Sequence, residues 1–253
     1  MKNISILGCG WLGKPLAVSL LEDGFSVKGS TTSEIRIDEL EALEIETYMV
    51  DIAEFEEFDS FLNSDILIIA ITSKDIDDFE NLIQQIQASS IQKVIFISST
   101  SVYPIINAVV SEETQTLKTP LSEIENLFRE NTYFETTVIR FAGLFGPGRH
   151  PGSWFKNGRK IPQPNGFVNM IHQEDCIEII HEIIGQNFWN STMNACANDH
   201  PTRKDFYINA RKSLDFDAPI FEETTELKYK IISSKKLQEV LDYEFIHDDL
   251  LSI

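Results

Sequence analysis

The feature that most constrains this chain is Gly8-Cys9-Gly10-Trp11-Leu12-Gly13, a Gly-x-Gly-x-x-Gly between an apolar run, Ile4–Leu7, and an amphipathic one, Trp11–Glu22. Read as a strand, a turn and a helix with Leu12, Leu16, Ser19 and Leu20 facing inward, it gives each glycine a task. The first permits the tight turn, the second lets a pyrophosphate approach the backbone, and the third lets the helix pack closely on the strand. Free N–H groups and the dipole at the helix N-terminus then favour an anion there. Alone, such a motif is a glycine-bearing turn; between a strand and a helix at the head of a strand–helix series it points to a dinucleotide.

That series continues. Strands are expected at Phe25–Gly29, Thr47–Val50, Ile66–Ile71 and Val94–Ser98, and helices at Glu34–Leu43 and Asp77–Ala88. The alternation implies right-handed βαβ units and a parallel sheet. Strands that are almost continuously apolar imply helices on both faces. The second half is more broken: a helix Leu121–Arg129, a strand Thr136–Phe141, and a Gly/Pro-rich irregular stretch at 143–166. A strand near Phe167–Met170 and a helix Glu174–Ile184 follow, then a strand near Met193–Cys196 and a helix Arg203–Leu214. A strand at Lys230–Ile232 and a helix Lys235–Leu241 end the chain. The expected fold is α/β, a Rossmann-type doubly wound parallel sheet with a small C-terminal substrate lobe. Residues 1–143 plus about 167–190 would form the nucleotide-binding domain, and about 144–166 plus 191–253 the lobe, a size that suits 253 residues.

Charge narrows the partners. Forty acids against 21 bases give a net charge of −19, which repels nucleic-acid backbones. The most apolar run, Ile66–Ile71, is far short of the roughly 20 residues that span a bilayer. Cys9, Cys176 and Cys196 have no paired spacing, and the N-terminus reads straight into a strand, so reduced thiols and a cytoplasmic location are expected. Residues 136–173 contain no acid but carry Arg140, Arg149, Lys156, Arg159 and Lys160. Arg140 ends a strand and reads as structural. Arg149 and Arg159, with the lysines, read as a basic rim for an anionic substrate, guanidiniums being able to clamp phosphates bidentately. The alternative is pairing with acidic helices, which would make the stretch structural.

An NAD-type site carries an acid about 20 residues past the glycine loop to hold the ribose 2′-hydroxyl. Here that position lies in Gly29-Ser30-Thr31-Thr32-Ser33, with Arg36 soon after. Hydroxyls and a guanidinium suit a 2′-phosphate, so Ser30, Thr31, Thr32 and Arg36 point to NADP, with NAD possible. The same residues can also cap the second helix.

Further marks follow in order: Asp51 after the third strand, Asp65-Ile66-Leu67-Ile68-Ile69-Ala70, Ser98-Ser99-Thr100-Ser101-Val102-Tyr103, the run Arg140–Arg149, and Asn169-Met170-Ile171-His172-Gln173-Glu174-Asp175. Together with the glycine loop they resemble the extended short-chain dehydrogenase/reductase superfamily, the NAD-dependent epimerase/dehydratases, over nearly the whole chain. The resemblance implies cofactor contacts from Gly8, Gly10, Trp11, Leu12 and Gly13, adenine contacts from Asp51 and Ile52, and a backbone edge along the ribose and phosphates at Ala70, Ile71 and Thr72. It implies Ser99 as the catalytic Ser/Thr and Phe141 beside the nicotinamide. Read from the residues, Ser98 and Ser99 end a strand in front of the cofactor, where their hydroxyls either face substrate or satisfy backbone groups at the strand end. The family's catalytic Tyr and Lys, four residues apart, have no counterpart in Thr116–Glu125, so the chain reads as an atypical member.

Tyr103 is the phenol that could substitute, or it packs beneath the substrate. His172 could contact substrate or be a hydrogen-bonded structural histidine. With no second His or Cys at ligand spacing, no metal is expected. Two readings stay open: an NADP-dependent oxidoreductase or epimerase acting on a nucleotide sugar or similar anionic carbohydrate, or an NADP-binding sensor or scaffold without turnover. Either would be a monomer or homodimer.

Overall fold

The computed structural model describes residues 2–54, 58–155, 158–224 and 226–252. Among them the chain runs β1 (Asn3–Leu7), α1 (Gly13–Glu22), β2 (Ser26–Thr31), α2 (Ile37–Glu41), β3 (Glu46–Met49), α3 (Asp59–Leu62), β4 (Ile66–Ile69), α4 (Ile76–Ala88) and β5 (Lys93–Ser99). It continues through β6 (Val109–Val110), α5 (Pro120–Arg129), β7 (Glu135–Phe141), β8 (Gly143–Phe145), β9 (Met170–His172), α6 (Gln173–Gly185), β10 (Ser191–Ala195), α7 (Arg203–Lys212), β11 (Ile231–Ile232) and α8 (Lys235–Leu241).

Seven strands form one sheet in the order β10-β7-β5-β4-β1-β2-β3. β1 pairs in parallel with both β2 and β4, β2 with β3, and β4 with β5. The chain winds outward from β1 to β3 and then crosses back to β4, so the strand order reverses between β1 and β4. In open α/β sheets ligands bind outside the carboxyl ends of the strands at such a point. All four residues of β4 are buried, as expected of a strand covered on both faces. No helix among the described residues is long and apolar enough to cross a membrane.

Contacts divide the chain into two compact units: Met1–Ser98, Lys118–Ile139 and Ile180–Thr192 in the first, and Ser99–Leu117, Arg140–Ile179 and Met193–Ile253 in the second. The first has a core of aliphatic strand and helix residues with six phenylalanines, four of which meet. Phe96 stacks on Phe128 at 4.9 Å, Phe79 meets both edge-on, and Phe134 closes the group. The second has its own smaller core around Phe145, Ile161, Met170, Phe206 and Leu250.

Local chemistry sets the helix starts. Asp75 caps α4 by accepting from the amides of Asp77 and Asp78. Thr119 and Ser122 form a reciprocal capping box at α5, with Pro120 in the first turn where its missing N–H costs nothing. Some boundaries differ from expectation. α1 begins at Gly13 because the turn through Gly10 and Trp11 closes first, Lys14 N–H donating to Gly10 O at 3.1 Å. Its buried face is Gly13, Leu16, Ala17 and Leu20, while Ser19 is half-buried and bonds His181. The helix expected at Glu34–Leu43 divides into a 3-10 turn, Glu34–Arg36, and α2. The strand expected near Phe167–Met170 forms at Met170–His172, where it pairs with β8 inside the Gly/Pro-rich stretch.

Phe128 is fully buried between three other rings, and truncation leaves a cavity the stacked partners cannot fill. Phe128→Ala should lower the unfolding free energy by about 3–5 kcal/mol, read from urea denaturation.

Candidate functional site

In the first unit, parallel pairing brings the expected cofactor residues to one sheet edge. Gly8 to Leu12 follow β1, Ser30 and Thr31 end β2, Asp51 and Ile52 follow β3, Ala70 to Thr72 follow β4, and Ser98 lies near the end of β5. The loop is tied down on both sides. Gly8 N–H donates to Ser30 Oγ at 2.9 Å and Cys9 N–H to Ser30 O at 2.8 Å. Ala70 N–H donates to Leu7 O at 2.8 Å.

The three loop glycines answer to different constraints. Gly8 has φ +97°, and a Cβ there would lie 2.9 Å from Ala70 O. A Cβ on Gly13 would lie 2.2 Å from Gly8 O, so α1 can sit this close to β1 only with hydrogen at that position. A Cβ on Gly10 would meet nothing within 4 Å. The protein itself makes no demand for glycine there.

Around the loop, Trp11 is half-buried, while Leu12 is buried at the N-terminal end of α1. The hydroxyls of the Ser30–Ser33 run divide by role. Ser30 Oγ accepts from Gly8, and Thr31 Oγ1 accepts from Ser33 N–H, both side chains being buried; Thr32 is exposed. Arg36 bends back over the loop, its Nη2 donating to Cys9 O at 2.8 Å. Lys14 and Arg36 both reach Glu39, and the Lys14 hydrogen bond and charge, then Arg36, hold that carboxyl below its usual range. Asp51 is exposed, with Ile52 buried beside it. Cys9 is buried against Gly29, and burial pushes its thiol up to about 11, so it is not a nucleophile at neutral pH.

Successive residues on a strand point to opposite faces, and the Ser98-Ser99 pair shows it. Ser98 is buried and donates to Glu125 Oε1 at 2.5 Å, on α5. Ser99 turns the other way and belongs to the second unit. It lines a cavity of about 390 Å³ with Thr100, Gly143, Asn169, Arg203 and Lys230. The Ser99 hydroxyl also accepts from Ser101 N–H, which fixes the turn at the end of β5.

Lys230 is half-buried at the cavity wall. Its ammonium donates to the carbonyls of Thr100 and Tyr103 at 2.8 and 2.7 Å, and burial lowers its pKa. An ammonium has three N–H donors, so one remains for a ligand. Asn169 bridges the start of β11 with both ends of its amide, donating to Lys230 O and accepting from Ile232 N–H. Arg203 spans from Pro162 O to the face of Tyr207.

Tyr103 is 1% exposed, and its hydroxyl is engaged on both sides: it donates to Asn194 Oδ1 at 2.8 Å and accepts from Arg140 Nη1 at 2.7 Å. Burial raises its pKa against the opposing pull of Arg140. Arg140 is itself buried, in keeping with a structural role. Phe141 is buried on β7. Arg149 and Arg159 are exposed, the latter over the ring of Phe155, and neither lines this cavity; Lys156 lies outside the described residues. His172 lies against His247, the ring planes tilted by 42°. Arg203, Tyr207, Lys230 and His247 were not singled out by motif or periodicity; the first three join Asn169 at the cavity and His247 meets His172, all from segments far apart in the chain.

Protein YeeZ of Escherichia coli strain K12 is 31% identical over 99% of this chain and 98% of its own length. The chain belongs to the YeeZ family. A family profile described as "NADP oxidoreductase coenzyme F420-dependent" matches residues 3–101 of this YeeZ-family chain, the segment from β1 to the end of β5. Three solved structures share its fold. A functionally unknown conserved protein from Silicibacter pomeroyi DSS has TM-score 0.85 and 20% identity, over 100% of this chain and 96% of that one. A putative NAD-dependent epimerase/dehydratase from Methylobacillus flagellatus has TM-score 0.80 and 22% identity, over 99% and 95%. UDP-glucuronic acid 4-epimerase from Bacillus cereus, solved in complex with NAD, has TM-score 0.79 and 16% identity, over 98% and 95%. The YeeZ-family chain thus has the Rossmann-type fold found in epimerase/dehydratase structures.

The glycine loop makes a contrast that stability measurements can check. Gly13→Ala should cost about 2–3 kcal/mol through the clash with Gly8 O, whereas Gly10→Ala should leave the melting temperature unchanged or slightly raised.

Proposed function

We propose that this YeeZ-family protein is an NADP-dependent oxidoreductase or epimerase whose substrate is a nucleotide sugar or a similar anionic carbohydrate. The observation that carries the cofactor half is Gly10. Packing explains Gly8 and Gly13, while the empty space over Gly10 is the room a pyrophosphate needs to reach the backbone. A dinucleotide would lay its pyrophosphate over Gly10, at the positive end of the α1 dipole.

The preference for NADP rests on what remains outward-facing at the end of β2. Ser30 and Thr31 are used internally, which leaves Thr32 and those N–H groups of the Arg36 guanidinium that do not serve Cys9 O and Glu39 for a 2′-phosphate. Asp51 and Ile52 would lie along the adenine and Ala70 to Thr72 along the ribose. A bound nicotinamide supplies the hydride acceptor or donor.

In the second unit, Arg203 and Lys230 hold the substrate's negative charge and Ser99 donates to a substrate hydroxyl. Arg149 and Arg159 form an outer basic rim that attracts anions to a protein otherwise strongly negative. Tyr103 acts through position, because a saturated, buried phenol anchors the backbone carbonyl that Lys230 grips. The second reading, cofactor binding without turnover, draws on two features. Residues 116–125 supply no Tyr and Lys four apart, and the Tyr103 hydroxyl is already committed.

Calorimetry should show NADPH binding more tightly than NADH, with Arg36→Ala removing most of the difference and Gly10→Ala weakening both by about tenfold or more. Equal affinities in the parent protein would remove the NADP assignment. Turnover is then measured by nicotinamide absorbance and product analysis on a panel of nucleotide sugars. Arg203→Ala and Lys230→Ala should each raise KM for the active sugar by about tenfold, roughly one lost charged contact, with NADPH affinity unchanged. Tight NADPH binding with no turnover on any sugar would establish the second reading instead.

A further inference from the structure

We propose that His172, Glu174 and His247 form a binding site for one zinc ion, in the second unit and independent of the dinucleotide loop. Among the described residues, one donor atom from each of these three side chains lies within 4.8 Å of the other two. His247 Nε2 is 2.7 Å from Glu174 Oε2, and His172 Nδ1 is 4.0 Å from the same oxygen. The two imidazole rings lie 3.7 Å apart, centre to centre.

The cluster is held in place from behind. Asp175 is fully buried, and its carboxylate grips the C-terminal segment. Oδ1 accepts from the Tyr243 hydroxyl at 2.8 Å and from Ile246 N–H at 2.7 Å, and Oδ2 accepts from His247 N–H at 3.1 Å. Beyond His247, Asp248 accepts from Asn198 N–H and Asp199 accepts from Leu250 N–H. The backbone at His247 is therefore anchored before and after the histidine. His172 is fixed on its other side by the edge of Phe145 and by Gly146, where a Cβ would stand 3.0 Å from its Nε2. The Nδ1 lone pair now caps α6 weakly, accepting from Glu174 N–H at 3.3 Å, a bond that water can replace at an exposed helix end.

The donor set selects the metal. Two imidazoles and one carboxylate suit zinc or cobalt, whereas magnesium and calcium prefer oxygen. Zinc bonds of about 2.0–2.2 Å place tetrahedral ligands roughly 3.3 Å apart. The observed separations, 2.7 and 4.0 Å, fall on either side of that value. Small torsions of the exposed Glu174 and half-buried His247 side chains would equalise them. Three protein ligands leave the fourth position to water.

The test uses tag-free full-length protein stripped with a chelator and titrated with zinc chloride by calorimetry, alongside thermal melting. One zinc per chain should bind and raise the melting temperature, because an ion that binds only the folded state stabilises it. Magnesium chloride should do neither. His247→Ala and Glu174→Gln, both at partly exposed positions, should keep the metal-free melting temperature and lose at least about tenfold in zinc affinity. Cobalt reads the ligands in the unaltered chain: the visible bands of a four-coordinate ion support the site. Absence of stoichiometric zinc binding, undiminished affinity in both variants, or a six-coordinate cobalt spectrum would each overturn it.

Discussion

The contact on which the first unit depends is the approach of α1 to the turn after β1, where a single added carbon at Gly13 would meet the Gly8 carbonyl at 2.2 Å. Hydrogen at that position lets the helix start directly above the strand end. The turn is then gripped by Ser30 from β2 and lies against the Ala70 backbone after β4, and Gly29 leaves room for the Cys9 thiol beneath it. This packing sets the N-terminus of α1 beside the end of β1 and leaves open space over Gly10. The open space over the loop follows from backbone packing, without any charged side chain.

The second unit is organised by polar groups that burial obliges to pair. Tyr103, Arg140 and Asn194 satisfy one another, and Asn194 N–H in turn donates to Glu112. Ser234 both donates to Cys196 O and accepts from Cys196 N–H, joining the entry of α8 to the end of β10. Lys230 belongs to the same pattern, two of its protons being held by main-chain carbonyls. Fully satisfied networks of this kind specify geometry more than they add stability. Here they place one ammonium and one guanidinium at the wall of a small cavity. Asp175 does the same for the C-terminal segment, turning what reads as a helix-start acid into the anchor for His247.

Much of the fold was legible because its signals are local. The apolar runs of β1, β4, β5 and β7 and the Gly-x-Gly-x-x-Gly all act within a few residues of where they are read. The elements that escaped are those with little local signal. β6 is two residues long, and β8 lies in a Gly/Pro-rich stretch; both exist because a strand from another part of the chain, β11 for the one and β9 for the other, pairs with them. On α1, Ala17 is buried while Ser19 is half-buried and bonds His181, a partner 162 residues away that no periodicity reports.

For the candidate sites the division is sharper. The sequence alone determined the glycine loop, the hydroxyls and guanidinium at the end of β2, the absence of a Tyr and Lys four apart in residues 116–125, and the strongly negative charge. Each is a property of neighbouring residues or of the total. Tertiary structure decided that Ser98 faces a buried glutamate while Ser99 faces a cavity. It also decided that Tyr103 is saturated, that the cations at the cavity wall are Arg203 and Lys230, and that a second histidine meets His172. Periodicity reports which face of its own element a side chain takes. Which distant side chains converge there depends on how the elements pack and on where buried carboxylates and amides must find partners, and both are set by the assembled chain.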